Sequence, residues 1–479
     1  MRPAIGSVAF SPHTCATAWA FCLLFGCASQ QAVPLLQADL PDRWETVTTI
    51  ASAAPQPDLT NWWRVLGDPA LDDLVARALQ GNLNLAAAAE RLRAARAMLI
   101  PAAGSLQPNL RFATTATPSP DSRSSYFQAG FDAQWELGLF GRAEAVGSIA
   151  AAEAGSAQVN WRAARATLVA EVVRTWLEWR DAERRQALLD EDVAMQRQRI
   201  QLLQTRVQAR LAAGAEVTGA RAALAQAEAA RLEPGAAAQR SRQQLVVLLG
   251  DRNASLPESR HGGAASALGD VRIDETPADL LRTRPEIQRA EQLVLLAAGA
   301  VGEARANLYP RLALGGMLST AWPLRSAATD SSVHSTLVFG PSVDIPLFDW
   351  GARRAVVDAR DAELAAALLD YRQSVLEGVA EVQTALAALA LQRERAAAAL
   401  RARDALAELE IATATRLRLG LADQLDAGSA RSARLQADLA LSQAQLAHQL
   451  AFVALYKAFG GASPLSPTAD TAVVQGAAP

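Results

Sequence analysis

Between Tyr126 and Leu211 the chain changes its period, and few folds accommodate the change. From Phe127 to Leu137 the alternation is strict. Phe127, Ala129, Phe131, Ala133, Trp135 and Leu137 fall on one side; Gln128, Gly130, Asp132, Gln134 and Glu136 fall on the other. A period of two predicts a strand with one apolar face and one wet face. At Phe140-Gly141-Arg142 the alternation stops, and no proline follows until well past Gly214. Apolar residues now recur in steps of three and four: Leu168, Val172, Trp176, Trp179, then Ile200, Leu203, Val207 and Leu211. At 1.5 Å per residue, a helix from about 142 to 212 is about 105 Å long. Ordinary globular helices average about 11–12 residues, so this rod is not packed inside a compact domain.

Composition narrows the chemistry. Hydrophobic residues make up 51% of the 479 and aromatic ones only 5%, which suits closely packed, alanine-rich helices. A net charge of −3, with no basic patch carrying interleaved aromatics, gives no reason to expect nucleic acid. Cys15, Cys22 and Cys27 all precede residue 28, so the body has no thiol for a disulfide, a zinc site or a nucleophile. His13, His261, His334 and His448 are scattered without metal-ligand spacing. With no Ser/His/Asp cluster and no phosphate loop either, neither an enzyme nor a cofactor is expected.

Residues 1–26 read as a secretory signal: Arg2 is followed by an apolar stretch, Ala16 to Phe25, too short to span a bilayer. Leu24-Phe25-Gly26-Cys27 resembles the lipobox of bacterial lipoproteins, which makes Cys27 the candidate lipidation site. Phe25 departs from the small or branched residue usual at its position. Residues 27–67 form an extended arm, and no run of 18 apolar residues follows, so any membrane crossing falls to strands.

The rest reads as two copies of one unit. Repeat 1 covers 68–255: a helix from Asp68-Pro69 towards Leu99, strands at about 108–117 and 126–137, a long helix at about 140–213, and a return helix at 215–249 interrupted at Pro234-Gly235. A linker (256–277) precedes repeat 2 at 278–461. Its strands lie at about 311–320 and 336–347, its long helix at about 351–419, and its return helix at 421–459; 462–479 are a flexible tail. Pro108 matches Pro310, Phe140 matches Phe348, Gly214 matches Gly420 and Gly250 matches Gly460, an internal duplication.

Four strands cannot close a barrel, since membrane barrels begin at about eight. Each chain must therefore join others, apolar faces to lipid and Arg111, Asp132, Gln134, Glu136 and Asp344 to a water-filled lumen. A small soluble sheet packed on one side explains the alternation but not the two rods and the exported start.

Several blocks carry a family resemblance: Trp62-Trp63 with Asp68-Pro69-Ala70-Leu71, Trp135 to Arg142, Arg284-Pro285-Glu286-Ile287, Leu308-Tyr309-Pro310-Arg311, Pro346 to Gly351, and Leu455 to Gly461. Together they resemble the outer-membrane efflux protein family, TolC-like and of the NodT lipoprotein type. The resemblance implies a mainly α fold with a membrane β-barrel portion: a homotrimer with a twelve-stranded barrel in outer-membrane lipid and a long periplasmic α-helical barrel. It also implies docking to a periplasmic adaptor and to an inner-membrane transporter of the RND type that exports drugs or other small molecules. A channel for type I protein secretion and a periplasmic coiled-coil scaffold are the alternatives; heat-modifiable trimers in outer-membrane fractions would exclude the scaffold. By the same resemblance, Leu417, Asp423, Leu425, Asp426 and Ser429 form the periplasmic gate. Two departures stand out. Gly138 replaces the family's usual aspartate, and Ser429 falls where an acidic residue usually helps close the mouth.

Overall fold

A computed structural model of the chain describes residues 61–118, 126–257, 268, 283–323 and 334–460. The signal, Cys27, most of the arm and linker, and the tail lie outside the described residues. Contacts divide the chain into two compact units. One holds Ala95–Gly155 and Glu291–Leu369; the other takes the remaining described residues.

The elements are a 3-10 turn (Trp62–Leu66), α1 (Pro69–Gly81), α2 (Leu83–Ala97), α3 (Leu99–Gly104), β1 (Asn109–Thr117), β2 (Tyr126–Glu136), α4 (Arg142–Gln208) and α5 (Gly214–Leu249). The second copy gives α6 (Pro285–Ala306), β3 (Arg311–Pro323), β4 (His334–Asp344), α7 (Ala352–Arg418) and α8 (Gln424–Ala458). Helices α4 and α7 have 67 residues each, about 100 Å.

Three readings of the sequence need correction. The helix expected from Asp68 towards Leu99 is broken at Asn82, whose side-chain oxygen accepts from the Leu85 N–H at 2.9 Å and so starts α2, while its amide donates to the Leu248 carbonyl. Helix α5 is not interrupted: Pro234 lies within it, buried. The two repeats also align differently from the sequence match. Phe140 and Gly141 (φ 57° and 80°) recur as Trp350 and Gly351 (56° and 83°), so Phe140 corresponds to Trp350 and not to Phe348. At the turns Arg210 (φ 60°) corresponds to Gly420 (φ 74°), so Gly214 is not the equivalent of Gly420. The positive φ values decide between the alternatives, and at the first of these sites the same step sets Phe140-Gly141 on Trp350-Gly351, an aromatic followed by a glycine in both copies.

In the first unit the four strands form one antiparallel sheet in the order β1-β2-β3-β4. Strand β2 leads into α4 through a junction fixed by several contacts. Arg142 bridges Glu136 at 2.9 Å and donates to Asn307 at 2.7 Å. Phe140 stacks on Tyr309 with centroids 5.0 Å apart, and the Trp135 indole donates to the Leu106 carbonyl at 3.1 Å. Helix α6 packs closely on α4: a Cβ on Gly299 would lie 2.8 Å from Ile149, closer than atoms tolerate.

The second unit carries the main apolar core, where Trp62, Leu71, Leu74, Val172, Leu245, Phe452, Leu455 and Tyr456 are all buried. The Asp68-Pro69 start is explained by one backbone preference and two contacts. Proline suits the first turn of a helix. The Asp68 carboxylate accepts from the Ala70 N–H at 3.0 Å, and its second oxygen accepts from the Trp176 indole at 2.9 Å. The tryptophan pair belongs to this core: Trp62 stacks on Tyr456 at 4.8 Å. One described helix, α7, contains an 18-residue window of mean hydropathy 1.4 with at most two charged residues, by length and composition enough to cross a membrane. That window is mostly unburied.

Candidate functional site

The sheet is the first candidate, because its register decides which side chains share a face. Phe131 stands opposite Phe112 and Leu318, and Leu318 stands opposite Leu337. Directly opposed residues of an antiparallel ladder point to the same side. All four apolar stripes therefore fall on one face, with Phe112 and Phe131 5.2 Å apart at their centroids. On the other face Asp132 stands opposite Arg111 and Met317, Gln134 opposite Asn109 and Gly315, and Glu136 opposite Ala313; Asp344 stands opposite Arg311. The five wet-face residues expected from the sequence share that side. Arg111 bonds Asp132 at 2.8 Å from Nε. Arg311 turns instead to Asn307, at 2.7 Å. Gly130 keeps the two middle strands close, since a Cβ there would meet the Leu318 carbonyl at 2.3 Å.

Among the described residues, β1 pairs only with β2 and β4 only with β3. Both edges thus present unpaired backbone groups, which lipid does not tolerate.

The turn between α7 and α8 holds the five gate candidates, and it uses three of them structurally. Asp423 caps α8: its carboxylate accepts from the Leu425 and Asp426 N–H groups at 2.7 and 2.9 Å. Asp426 returns the bond, accepting from the Asp423 N–H at 3.0 Å. Leu425 packs in a small cluster with Ile200, Leu203, Val207, Val217 and Ala220. Leu417 is half-buried and Ser429 exposed. Arg206, near the end of α4, completes the site by reaching Asp423 at 2.9 Å. The Asp426 N–H and then the Arg206 guanidinium hold the Asp423 carboxyl below its ordinary range. Arg206 was not legible as part of this site, being 217 residues from its partner.

A third feature, a cavity of about 490 Å³ in the second unit, was also unanticipated. Arg174, Glu178, Asp181, Arg185, Arg240 and Gln244 line it. Arg174 bridges Glu171 and Glu178. Asp181 accepts from the Ser442 hydroxyl at 2.6 Å, and burial pushes its carboxyl up despite that bond and the nearby Arg185 and Arg184. No group of three or more metal-ligating side chains occurs among the described residues.

The sequence model of the outer membrane efflux protein family matches residues 74–251 and 276–461. The chain belongs to this family. It is 29% identical over 438 residues to outer membrane protein OprJ of Pseudomonas aeruginosa, covering 88% of this chain and 90% of OprJ. Nodulation protein T of Rhizobium leguminosarum bv. trifolii is 28% identical over 344 residues, covering 68% of this chain and 72% of that protein. The outer-membrane channel OprN has a solved structure that matches with a TM-score of 0.75 at 29% identity, covering 89% of this chain and 98% of OprN. The fold is therefore that of the outer-membrane efflux channels, and the chain is an outer-membrane efflux protein. The blocks that carry the resemblance, from Trp62 to Gly460 among the described residues, supply core aromatics, a helix cap and the strand-to-helix junctions.

Proposed function

We propose that the chain is the outer-membrane duct of a tripartite pump. In this reading three copies join as a homotrimer with a twelve-stranded barrel, dock to a periplasmic adaptor and an inner-membrane transporter of the RND type, and export drugs or other small molecules. One observation carries the proposal. The sheet has a continuous apolar face, a wet face bearing Arg111, Asp132, Gln134, Glu136 and Asp344, and two open edges. An amphipathic sheet with open edges is stable in lipid only when other strands close it.

Two sites belong to the same proposal. Cys27 carries the lipid that anchors the mature N-terminus; mass spectrometry finding an unmodified Cys27 would remove that part. The turn at Gly420 closes the periplasmic mouth, with Asp423 held by Arg206 and with Leu417, Leu425, Asp426 and Ser429 around it. Copies of these aspartates brought together near a symmetry axis attract cations and resist anions.

The test of the whole reading is transport. A strain lacking the chain should become sensitive to several unrelated antibiotics and retain a fluorescent dye, and wild-type protein should reverse both. Purified protein should conduct ions in planar bilayers. Unchanged sensitivity, or no conductance from either the wild type or a variant with the turn loosened, would overturn it.

A further inference from the structure

The cavity in the second unit lies between α4 and α5, whose register two contacts settle. Asp190 of α4 pairs with Arg231 of α5 at 2.9 Å. One turn on, Gln186 abuts Gly235, where a Cβ would lie 3.6 Å from it. The helices are therefore antiparallel, and the same register sets Arg240 level with Asp181. Side chains three and four residues apart share a helix face. Glu178, Asp181 and Arg185 accordingly line one wall, and Arg240, Ser241 and Gln244 line the other. All of them belong to the second unit of one chain, so the cavity exists without any second copy.

The walls have their acids occupied and several donors free. Glu178 takes the Arg174 guanidinium at 2.7 Å, and Asp181 takes the Ser442 hydroxyl at 2.6 Å. Thr175, also in the wall, is 1% exposed, and its hydroxyl has no hydrogen-bond partner. The Nε of Arg185 is likewise buried and unpartnered. Among the described residues Arg240 makes no hydrogen bond or ion pair. Buried polar atoms left unpaired are costly and few in folded proteins. A cation would have to displace the donors that Glu178 and Asp181 already hold, and an apolar molecule would desolvate the arginines for nothing. What complements these walls is an acceptor. A charged one fits best, because arginine bonds to carboxylate and phosphate oxygens are the strong ones.

We infer that this cavity binds a small organic anion, held by Arg185 and Arg240 from opposite walls, with the Thr175 hydroxyl donating to it. Three arginines against two acids give the lining a positive balance. A volume of about 490 Å³ lies within the range of small-molecule pockets, about 300–1,000 Å³. An inorganic ion would fill little of that space, so the ligand is organic. Its carboxylate, sulfonate or phosphate group sits at the two arginines, and its uncharged polar groups face Ser241 and Gln244. A ligand bridging α4 and α5 also stabilises the helix pair by mass action, since only the folded chain binds it. The site is distinct from both the sheet and the turn at Gly420, and it stands whether or not the chain conducts.

The test is isothermal titration of the purified full-length protein in mild detergent, with citrate as the probe and sodium chloride matching the ionic strength. Citrate should bind saturably, one per chain, and should raise the unfolding midpoint. Arg240→Ala and Thr175→Val should each weaken binding about tenfold. Arg240 is exposed, so its variant should fold. Thr175→Val removes only an unpartnered hydroxyl, so it should not lower the midpoint measured without citrate. Arg242→Ala removes an equal charge two residues on, from another side of α5, and should bind as the wild type does. Inorganic phosphate should bind at least about tenfold more weakly than citrate. No saturable citrate binding, or equal losses from Arg240→Ala and Arg242→Ala, would overturn the site. Phosphate binding as tightly as citrate would overturn the organic ligand, and a lowered midpoint for Thr175→Val without citrate would overturn the role of that hydroxyl.

Discussion

Placing an arginine at Phe131 tests the apolar face most severely. Phe131 is the sixth of the eleven residues of β2. Five steps at about 3.3 Å put it about 17 Å from either end of the strand. With a tilt of about 40°, that is about 13 Å of depth, close to the middle of an apolar band about 25 Å tall. Arginine at the midplane of such a barrel costs about 2–4 kcal/mol per chain. Phe131→Arg also removes the ring contact with Phe112, centroids 5.2 Å away, worth about 0.5–1.5 kcal/mol. The sum is about 2.5–5.5 kcal/mol per chain, repeated in every copy of an assembly. Gln134→Arg is the matched control. It stands on the wet face opposite Asn109 and Gly315, and should change stability by less than about 0.5 kcal/mol. The assay is urea unfolding in lipid vesicles, alongside the heat-modifiable band in outer-membrane fractions. Equal tolerance of both substitutions, or equal loss, would refute the assignment of faces.

Other outcomes follow from the same geometry. Leu245→Ala, at a position with no exposed area in the main core, should destabilise the protein by about 2–5 kcal/mol in chemical denaturation. Asp181→Asn keeps an acceptor for Ser442 and removes a buried charge. Because the Asp181 carboxyl is raised, its charged form weakens the fold above that raised value. The asparagine variant should therefore be the more stable at neutral pH, and its advantage should shrink as pH falls through the raised value towards the ordinary carboxylate range. Arg206→Ala, like Leu425→Ala combined with Asp426→Ala, should raise single-channel conductance in planar bilayers and sensitise cells to large antibiotics with the amount of assembled protein unchanged. Conductance identical to wild type would place the constriction elsewhere. The Asp423 carboxyl is held low, so its contribution persists at neutral pH and is lost only as pH falls through that lowered value, below the ordinary carboxylate range.

What the sequence disclosed and what it withheld divide along physical lines. The alternation from Phe127 to Leu137 is a local pattern that names both faces of β2 without any partner. The pairing of β2 with β3 is not local: Phe131 meets Leu318 across 187 residues, and nothing near either residue specifies the other. The break at Asn82 was legible in principle, since Gly81-Asn82 is a stop followed by a cap, but the leucine spacing on both sides concealed it. Pro234 misled in the opposite sense, because a buried position within α5 holds it in place. At the turn the acidic residues were visible in sequence, yet their work as a reciprocal cap depends on backbone N–H groups that no side-chain pattern reports. The ion pair from Glu191 to Arg431, 240 residues apart, was equally hidden.

The central claim is that four open-edged strands per chain are completed by two further copies. The mass of the intact particle, extracted from outer membranes in mild detergent and measured by native mass spectrometry, tests it most directly. The account predicts a single species of three chains, hence twelve strands. A particle of one chain would leave the sheet edges unclosed in lipid, and a particle of two would close at eight strands; either would contradict it.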